Sequence, residues 1–273
     1  MKRGLLAAGL VLAVSGLSGC VAGGFGAGAR ESIDESRPLS ANGELSLQNT
    51  NGSVRVATWD EPRVRIEATK TAATRHILER IEVEIEGEGD RVAVRTRQPR
   101  GGFFLGQMGG VEYRVTVPRG ARVSLRNVNG RVEVDGVAGR VEAQTVNGSV
   151  EARHLGGEVT ASTTNGSVEV GLDGVDPGGR NRLSTTNGAV RLTLPRDVSA
   201  EIAAHTVNGS VHCDFDLSAD AHVSRRKIEG RIGSGGARFD IGTVNGSARI
   251  DRGLSPAAAS AVRPAEAGPA AAR

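Results

Sequence analysis

The sequence predicts an all-β protein: a single-chain parallel β-solenoid with an irregular N-terminal β cap. Three observations carry this. Glycine supplies 39 of the 273 residues and aromatics only 3%, with one Trp and one Tyr, a balance that suits short strands and tight turns rather than an aromatic-filled core. An Asn-Gly corner recurs at Asn51, Asn129, Asn147, Asn165, Asn187, Asn208 and Asn245. On both sides of each corner, apolar and polar residues alternate with the period of a strand that has one buried face.

From Asn129 the corners are spaced by 18, 18, 22 and 21 residues, and a worn copy, Lys227 to Arg231, stands between Asn208 and Asn245. A period near 20 is too short for a pair of helices, so the unit is β. The inward pairs after the corners are Val132/Val134, Val150/Ala152, Val168/Val170, Val190/Leu192, Val211/Cys213 and Ala248/Ile250. Before them come Val123/Leu125, Val141/Ala143, Val159/Ala161, Leu183/Thr185, Ile202/Ala204 and Phe239/Ile241. A second Gly-containing corner, such as Asp135 to Gly139, returns the chain.

Two architectures accommodate this unit. Asn-Gly is the strongest short hairpin signal, because both residues accept the positive φ of a type I′ turn, so the alternative is an antiparallel meander or sandwich of Asn-Gly hairpins. The parallel solenoid explains more. It places Thr, Asn, Gly and Val at like positions, where stacked Asn side chains form a structural turn row. Seven turns rising about 4.8 Å each make a rod of roughly 35 Å. In chain order that row ends at Asn245.

Between Leu45 and Val117 the repeat is less regular, with longer strands and a short helical stretch within Thr71 to Glu79. Residues 41–118 are therefore read as the β cap and 119–252 as the solenoid, since an open solenoid end needs its strand edges covered. The loop QPRGGFFLGQMGG (98–110) carries Phe103, Phe104 and Leu105 among glycines. It reads as folding back over the cap, with an exposed contact patch as the alternative.

The termini have a different character. Lys2 and Arg3 precede an uncharged stretch from Leu5 to Leu17, too short for a spanning helix and shaped like a secretory signal. Leu17-Ser18-Gly19-Cys20 resembles the bacterial lipobox. The resemblance implies a signal peptide over 1–19, cleavage before Cys20, and lipidation of Cys20 as the membrane anchor. Val21 in place of Asp then favours the outer membrane in a Gram-negative cell. Residues 20–40 read as a flexible tether, and 253–273, rich in Ala and Pro, as a disordered tail. The chain has 34 basic and 31 acidic residues. With Lys2 and Arg3 assigned to the signal, the excess falls to +1, so charge gives no argument for a nucleic-acid partner.

The run from Asn49 to Asp60 (NTNGSVRVATWD), then VTVPRGARVSL (115–125) and NVNGRVEVDGVAGRVEAQTVNGSVEA (127–152), resembles the bacterial "putative adhesin" domain family. The likeness covers about Ser40 to Asp251. It implies a β-solenoid-like fold and a cell-envelope location, and it brings no catalytic residue.

Catalytic and ligand patterns are few. His212, Cys213, Asp214 and Asp216 look like a ligand cluster, but the alternation turns Cys213 inward and His212 and Asp214 outward, so they do not converge on one ion. Cys213 is read as a core residue. His76, His154, His205 and His222 have no ligand spacing. Glu133, Glu151 and Glu169 recur outward beside Arg131, Arg153 and Arg191, as on a solvated charge-mixed face. GxSxG, HExxH and phosphate-loop patterns are absent from the sequence. The expectation is a non-catalytic, lipid-anchored envelope protein without cofactor or metal, serving as an adhesin-like or scaffold module. Its partner would be an envelope protein or glycan. The alternatives are a β-helix carbohydrate-active enzyme and an envelope-stress regulatory lipoprotein.

Overall fold

A computed structural model describes residues 28–98 and 109–253. The expected signal segment, Cys20, Phe103 to Leu105 and the expected tail beyond Gly253 lie outside the described residues. The N-terminal part contains β1 (Ala29–Gln48), β2 (Val54–Trp59), β3 (Arg63–Ala72), the short helix α1 (Arg75–Glu79), β4 (Glu82–Glu86), β5 (Gly89–Arg97) and β6 (Gly110–Pro118). Next come β7 (Arg122–Arg126), β8 (Val132–Asp135), β9 (Val141–Gln144), β10 (Val150–Leu155), β11 (Val159–Asn165), β12 (Val168–Leu172), β13 (Arg180–Asn187) and β14 (Val190–Leu194). The chain closes with β15 (Ala200–Asn208), β16 (Val211–Cys213), β17 (His222–Val223), β18 (Lys227–Ile232), β19 (Ala237–Asn245) and β20 (Ala248–Arg252).

The architecture is the solenoid, not the hairpin meander. In every coil except β5/β6 a leading strand runs into the Asn-Gly corner and a trailing strand leaves it, and like strands of successive coils pair in parallel. The inward row of the trailing strands reads Tyr113, Val54, Val132, Val150, Val168, Val190, Ala248, Val211, each buried and each in register with the next. One apolar cluster runs from Leu39 to Ile250. Small side chains suffice because only two pleated faces must meet, and burying each Val or Leu contributes about 1.5–3 kcal/mol.

The order of the coils departs from the order of the chain at both ends. β5/β6 precedes β1/β2 in the stack, since β1 lies between β5 and β7, and β2 between β6 and β8. At the other end β19/β20 is inserted between β13/β14 and β15/β16. The worn repeat does not form a coil of the rod. Its strand β18 instead runs antiparallel to β15 and covers the open edge, with β17 antiparallel to β18.

Two boundaries are corrected accordingly. The cap expected over 41–118 is in part regular solenoid, because β1/β2 and β5/β6 are coils, while β3 and β4 are the antiparallel strands that cover the first edge. The tether expected to reach residue 40 ends by Ala29. From there to Pro38, β1 pairs antiparallel with β3 before crossing at an irregularity between Leu39 and Glu44 to lie beside β5. Its polar sequence is what an edge strand with two wet sides requires. It is held by Arg65 to Asp34 (2.7 Å) and by buried Lys70, whose Nζ meets Glu31 Oε2 at 2.9 Å and donates to the Ile81 carbonyl at 3.3 Å. The Arg65 guanidinium keeps the Asp34 carboxyl below its ordinary value.

Candidate functional site

The edge formed by the Asn-Gly corners carries a continuous row of side-chain hydrogen bonds. Each Asn Nδ2 donates to the Oδ1 of the Asn one coil toward the N-terminal end: Asn208 to Asn245, Asn245 to Asn187, Asn187 to Asn165, Asn165 to Asn147, Asn147 to Asn129 and Asn129 to Asn51, at 2.7–2.9 Å. Asn51 continues the row by donating to Gln98 Oε1 at 3.0 Å. The backbone is knitted in the opposite direction. Gly52, Gly130, Gly148, Gly166, Gly188 and Gly246 each donate N–H to the Asn carbonyl of the next coil at 2.9–3.0 Å.

Inside this edge lies a second row. Thr145, Thr163, Thr185, Thr243 and Thr206 are buried, and their hydroxyls donate to the corner-Gly carbonyl of the neighbouring coil at 2.8–3.2 Å. In the first coils Asn49 and Asn127 take that place, and their amides reach the Val111 and Gly52 carbonyls at 3.0 Å. The recurring Thr-x-Asn-Gly is therefore a pair of hydrogen-bond ladders. Glycine, not asparagine, takes the positive φ here: among the described residues His154 alone is a non-Gly residue with φ above zero. The Asn is present for its side-chain amide.

Between the two ladders the side chains point to solvent. Among the described residues, four of the five large exposed hydrophobics stand in this file, 39–53% exposed, as two neighbouring pairs, Val128 with Val146 and Val244 with Val207. Thr50, Thr164 and Thr186 complete the file. The outer face of the trailing strands differs in being charged and paired, across coils by Arg55 on Glu133 (2.5 Å), Arg131 on Glu151 (3.7 Å) and Arg191 on Asp251 (3.4 Å), and within a coil by Arg131 on Glu133 and Arg153 on Glu151. Exposed pairs of this kind contribute little to stability; they do cover that face with balanced charge.

The removal of one ladder contact gives a direct test. Chain order puts Asn245 at the end of the row, but the inserted coil makes Asn245 interior and Asn208 terminal. Asn165→Ala and Asn245→Ala each break two side-chain bonds and Asn208→Ala breaks one. The interior variants should be less stable than Asn208→Ala by about 0.5–1.5 kcal/mol, one net hydrogen bond, as read from denaturant midpoints. Equal losses at all three positions would mean that the ladder is energetically idle.

Cys213 sits where its row places it, in register with Ile250. It is half-buried because β16 is the last strand of its sheet, and burial raises its thiol pKa. His212 and Asp214 face outward and bond each other at 2.7 Å. A raised pKa leaves little thiolate near neutrality, so alkylation of the native protein should be slower than that of the urea-unfolded chain, and Cys213→Val should keep the native fold. Equal rates would contradict the inward orientation. Among the described residues no three of His, Cys, Asp and Glu cluster about a common point. His154 bonds Asp135 at 2.7 Å on an exposed surface and holds φ at 52°, at the place where the preceding coil has Gly136.

Features that sequence reasoning missed lie at the N-terminal end. Tyr113, the single tyrosine, is buried, bonded to Thr96 Oγ1 at 2.7 Å, and its pKa is pushed up to about 12 by that burial. Gln98 ends the Asn ladder from a loop that carries no Asn-Gly. Only its place at the end of a strand, where other coils have their corner, could have marked it.

The fold and its edge define a two-sheet parallel β-solenoid with an asparagine ladder along one edge. The chain belongs to the Toastrack DUF4097 family, whose profile matches residues 39–251. Among solved structures it is similar to a "putative cell adhesion protein" from Clostridium sporogenes (12% identity, TM-score 0.49, covering 82% of this chain and 100% of that one). A "putative adhesin" from Bacteroides fragilis shares 13% identity (TM-score 0.41, 81% and 97%). A "putative lipid binding protein" from Parabacteroides distasonis shares 12% (TM-score 0.31, 85% and 97%). No curated protein matches the chain.

Proposed function

We propose that the protein is a non-catalytic, lipid-anchored component of the cell envelope, attached through Cys20, whose Asn-ladder edge binds a partner protein. The single observation that carries this reading is the file of Val128, Val146, Val244 and Val207 exposed along a rigid edge. Exposed apolar side chains gathered in one place mark interaction surfaces, whereas scattered ones do not. A protein partner suits this edge better than a glycan, because sugar recognition leans on aromatic faces and aromatics are 3% of the chain.

The test uses the chain from residue 20 onward, immobilised and exposed to solubilised envelope proteins. The variant carrying Val146→Glu with Val244→Glu changes only solvent-exposed side chains and should retain the native circular dichroism. Partner capture should be lost with this variant and kept with Arg55→Ala on the charged outer face of the trailing strands. Capture unaffected by the Val substitutions would remove the edge from the reading. The anchor is tested separately. Cys20→Ser should abolish lipid labelling and membrane fractionation, and retention of both would overturn the lipobox assignment.

A further inference from the structure

We propose that Asn208 is the site at which this ladder ages: of the seven corner asparagines it is the one that converts spontaneously to aspartate and isoaspartate in the folded protein. Asn-Gly is the dipeptide most prone to this chemistry, because a Gly backbone nitrogen meets little steric hindrance as it approaches the Asn side-chain carbonyl carbon. In the reaction the Gly N–H loses its proton to solvent base, and its nitrogen bonds to the Asn Cγ. The Cγ–Nδ2 bond breaks and the amide leaves as ammonia. Water then opens the cyclic imide at either carbonyl, yielding aspartate or isoaspartate, with one water consumed and one ammonia released.

Six corners are restrained against every part of that motion. The attacking nitrogens of Gly52, Gly130, Gly148, Gly166, Gly188 and Gly246 are each committed to a carbonyl of the next coil. The side chains to be attacked, from Asn51 through Asn245, are held at both ends, Nδ2 by one neighbour and Oδ1 by the other. Because every Gly N–H points toward the same end of the rod, the last coil has no acceptor for its own.

That last coil is β15/β16, and its corner is Asn208-Gly209. Asn208 is exposed and keeps one side-chain bond, through Nδ2 to Asn245 Oδ1 at 2.8 Å. Among the described residues neither its Oδ1 nor the Gly209 N–H has a partner. The chain crossing this end bonds on either side of the corner, Thr206 N–H to Arg226 O and Val211 N–H to Arg225 O at 2.9 Å, and leaves the Asn208–Gly209 peptide free between them. Chain order alone would assign the free end to Asn245-Gly246; the insertion of β19/β20 moves it.

The consequence is local. A carboxylate at 208 no longer donates to Asn245 Oδ1 and faces it oxygen to oxygen, while isoaspartate adds a backbone carbon at a corner that must stay in register. The end coil loosens first.

The experiment incubates the full chain at mildly alkaline pH, digests it, and follows the amide-to-acid mass shift and isoaspartate content at each corner, with a urea-unfolded sample in parallel. In the unfolded chain the seven corners should convert at comparable rates. In the folded protein Asn208 should convert first, and the other six about tenfold more slowly or less, the factor for one withheld hydrogen bond at the upper end of its range. Asn42, followed by Gly43 in the irregular part of β1, lies outside the row and is scored separately. Conversion first at any other corner, equal rates at all seven, or an Asn208 as slow as its neighbours would each overturn the proposal.

Discussion

Gly130→Ala is expected to destabilise the protein by about 3 kcal/mol or more, while Gly171→Ala leaves it unchanged or slightly more stable. At Gly130 the backbone holds φ at 132°, and a methyl group would be driven into the carbonyl of Gly52 in the adjacent coil and toward Asn127 Nδ2. The obstacle is backbone, which cannot rotate away as a side chain can. Relief requires these two coils to separate, which would break the Gly52 N–H bond to the Asn129 carbonyl (2.9 Å), the Asn129 N–H bond to the Thr50 carbonyl (2.8 Å) and the Asn127 side-chain bond to the Gly52 carbonyl (3.0 Å). Overpacking costs about 1–3 kcal/mol and a left-handed conformation forced on a side chain about 1–3 more. Gly171 has open space around its Cβ direction and no such φ, so alanine there only restricts the unfolded chain. Denaturant unfolding of the pair decides the matter. A Gly130→Ala protein as stable as the parent would show that the close stacking of the corners is not needed.

Phe239→Ala is the second large effect, expected at about 3–5 kcal/mol. Phe239 is fully buried in β19, in register between Asn181 of β13 and Ile202 of β15. It lies in the coil that arrives last along the chain and sits next to last in the rod. Coils contact mainly their neighbours, so a loss in one is felt locally before it is felt globally. Hydrogen exchange should show protection falling first in β13, β15, β19 and β20, with β9 to β12 retaining theirs. A uniform loss over the whole rod would mean that the stack unfolds as one unit and that the inserted coil is no weaker than the rest.

What the sequence alone determined was the content of a coil. Alternation is a local property, so the inward rows, the outward Glu and Arg, the orientation of Cys213 against His212 and Asp214, and the Asn corner can be read directly from residue spacing. The sign of the corner was less legible: Asn-Gly also belongs to hairpins, and only parallel stacking reveals that Gly carries the unusual φ and Asn the side-chain bond. The order of the coils was decided by tertiary structure alone. Every coil offers the same backbone edge and the same corner register, so local sequence does not distinguish one neighbour from another. The choice falls to the long connections from β5 to β6 and from β16 to β19, and to the antiparallel strands β3, β4 and β18 that cover the ends. The same reason hid β1 from Ala29 to Pro38, whose polar sequence looks like a tether until β3 supplies a partner. It also hid which asparagine ends the ladder, since Asn208 and Asn245 have the same local sequence and differ only in what is stacked beyond them.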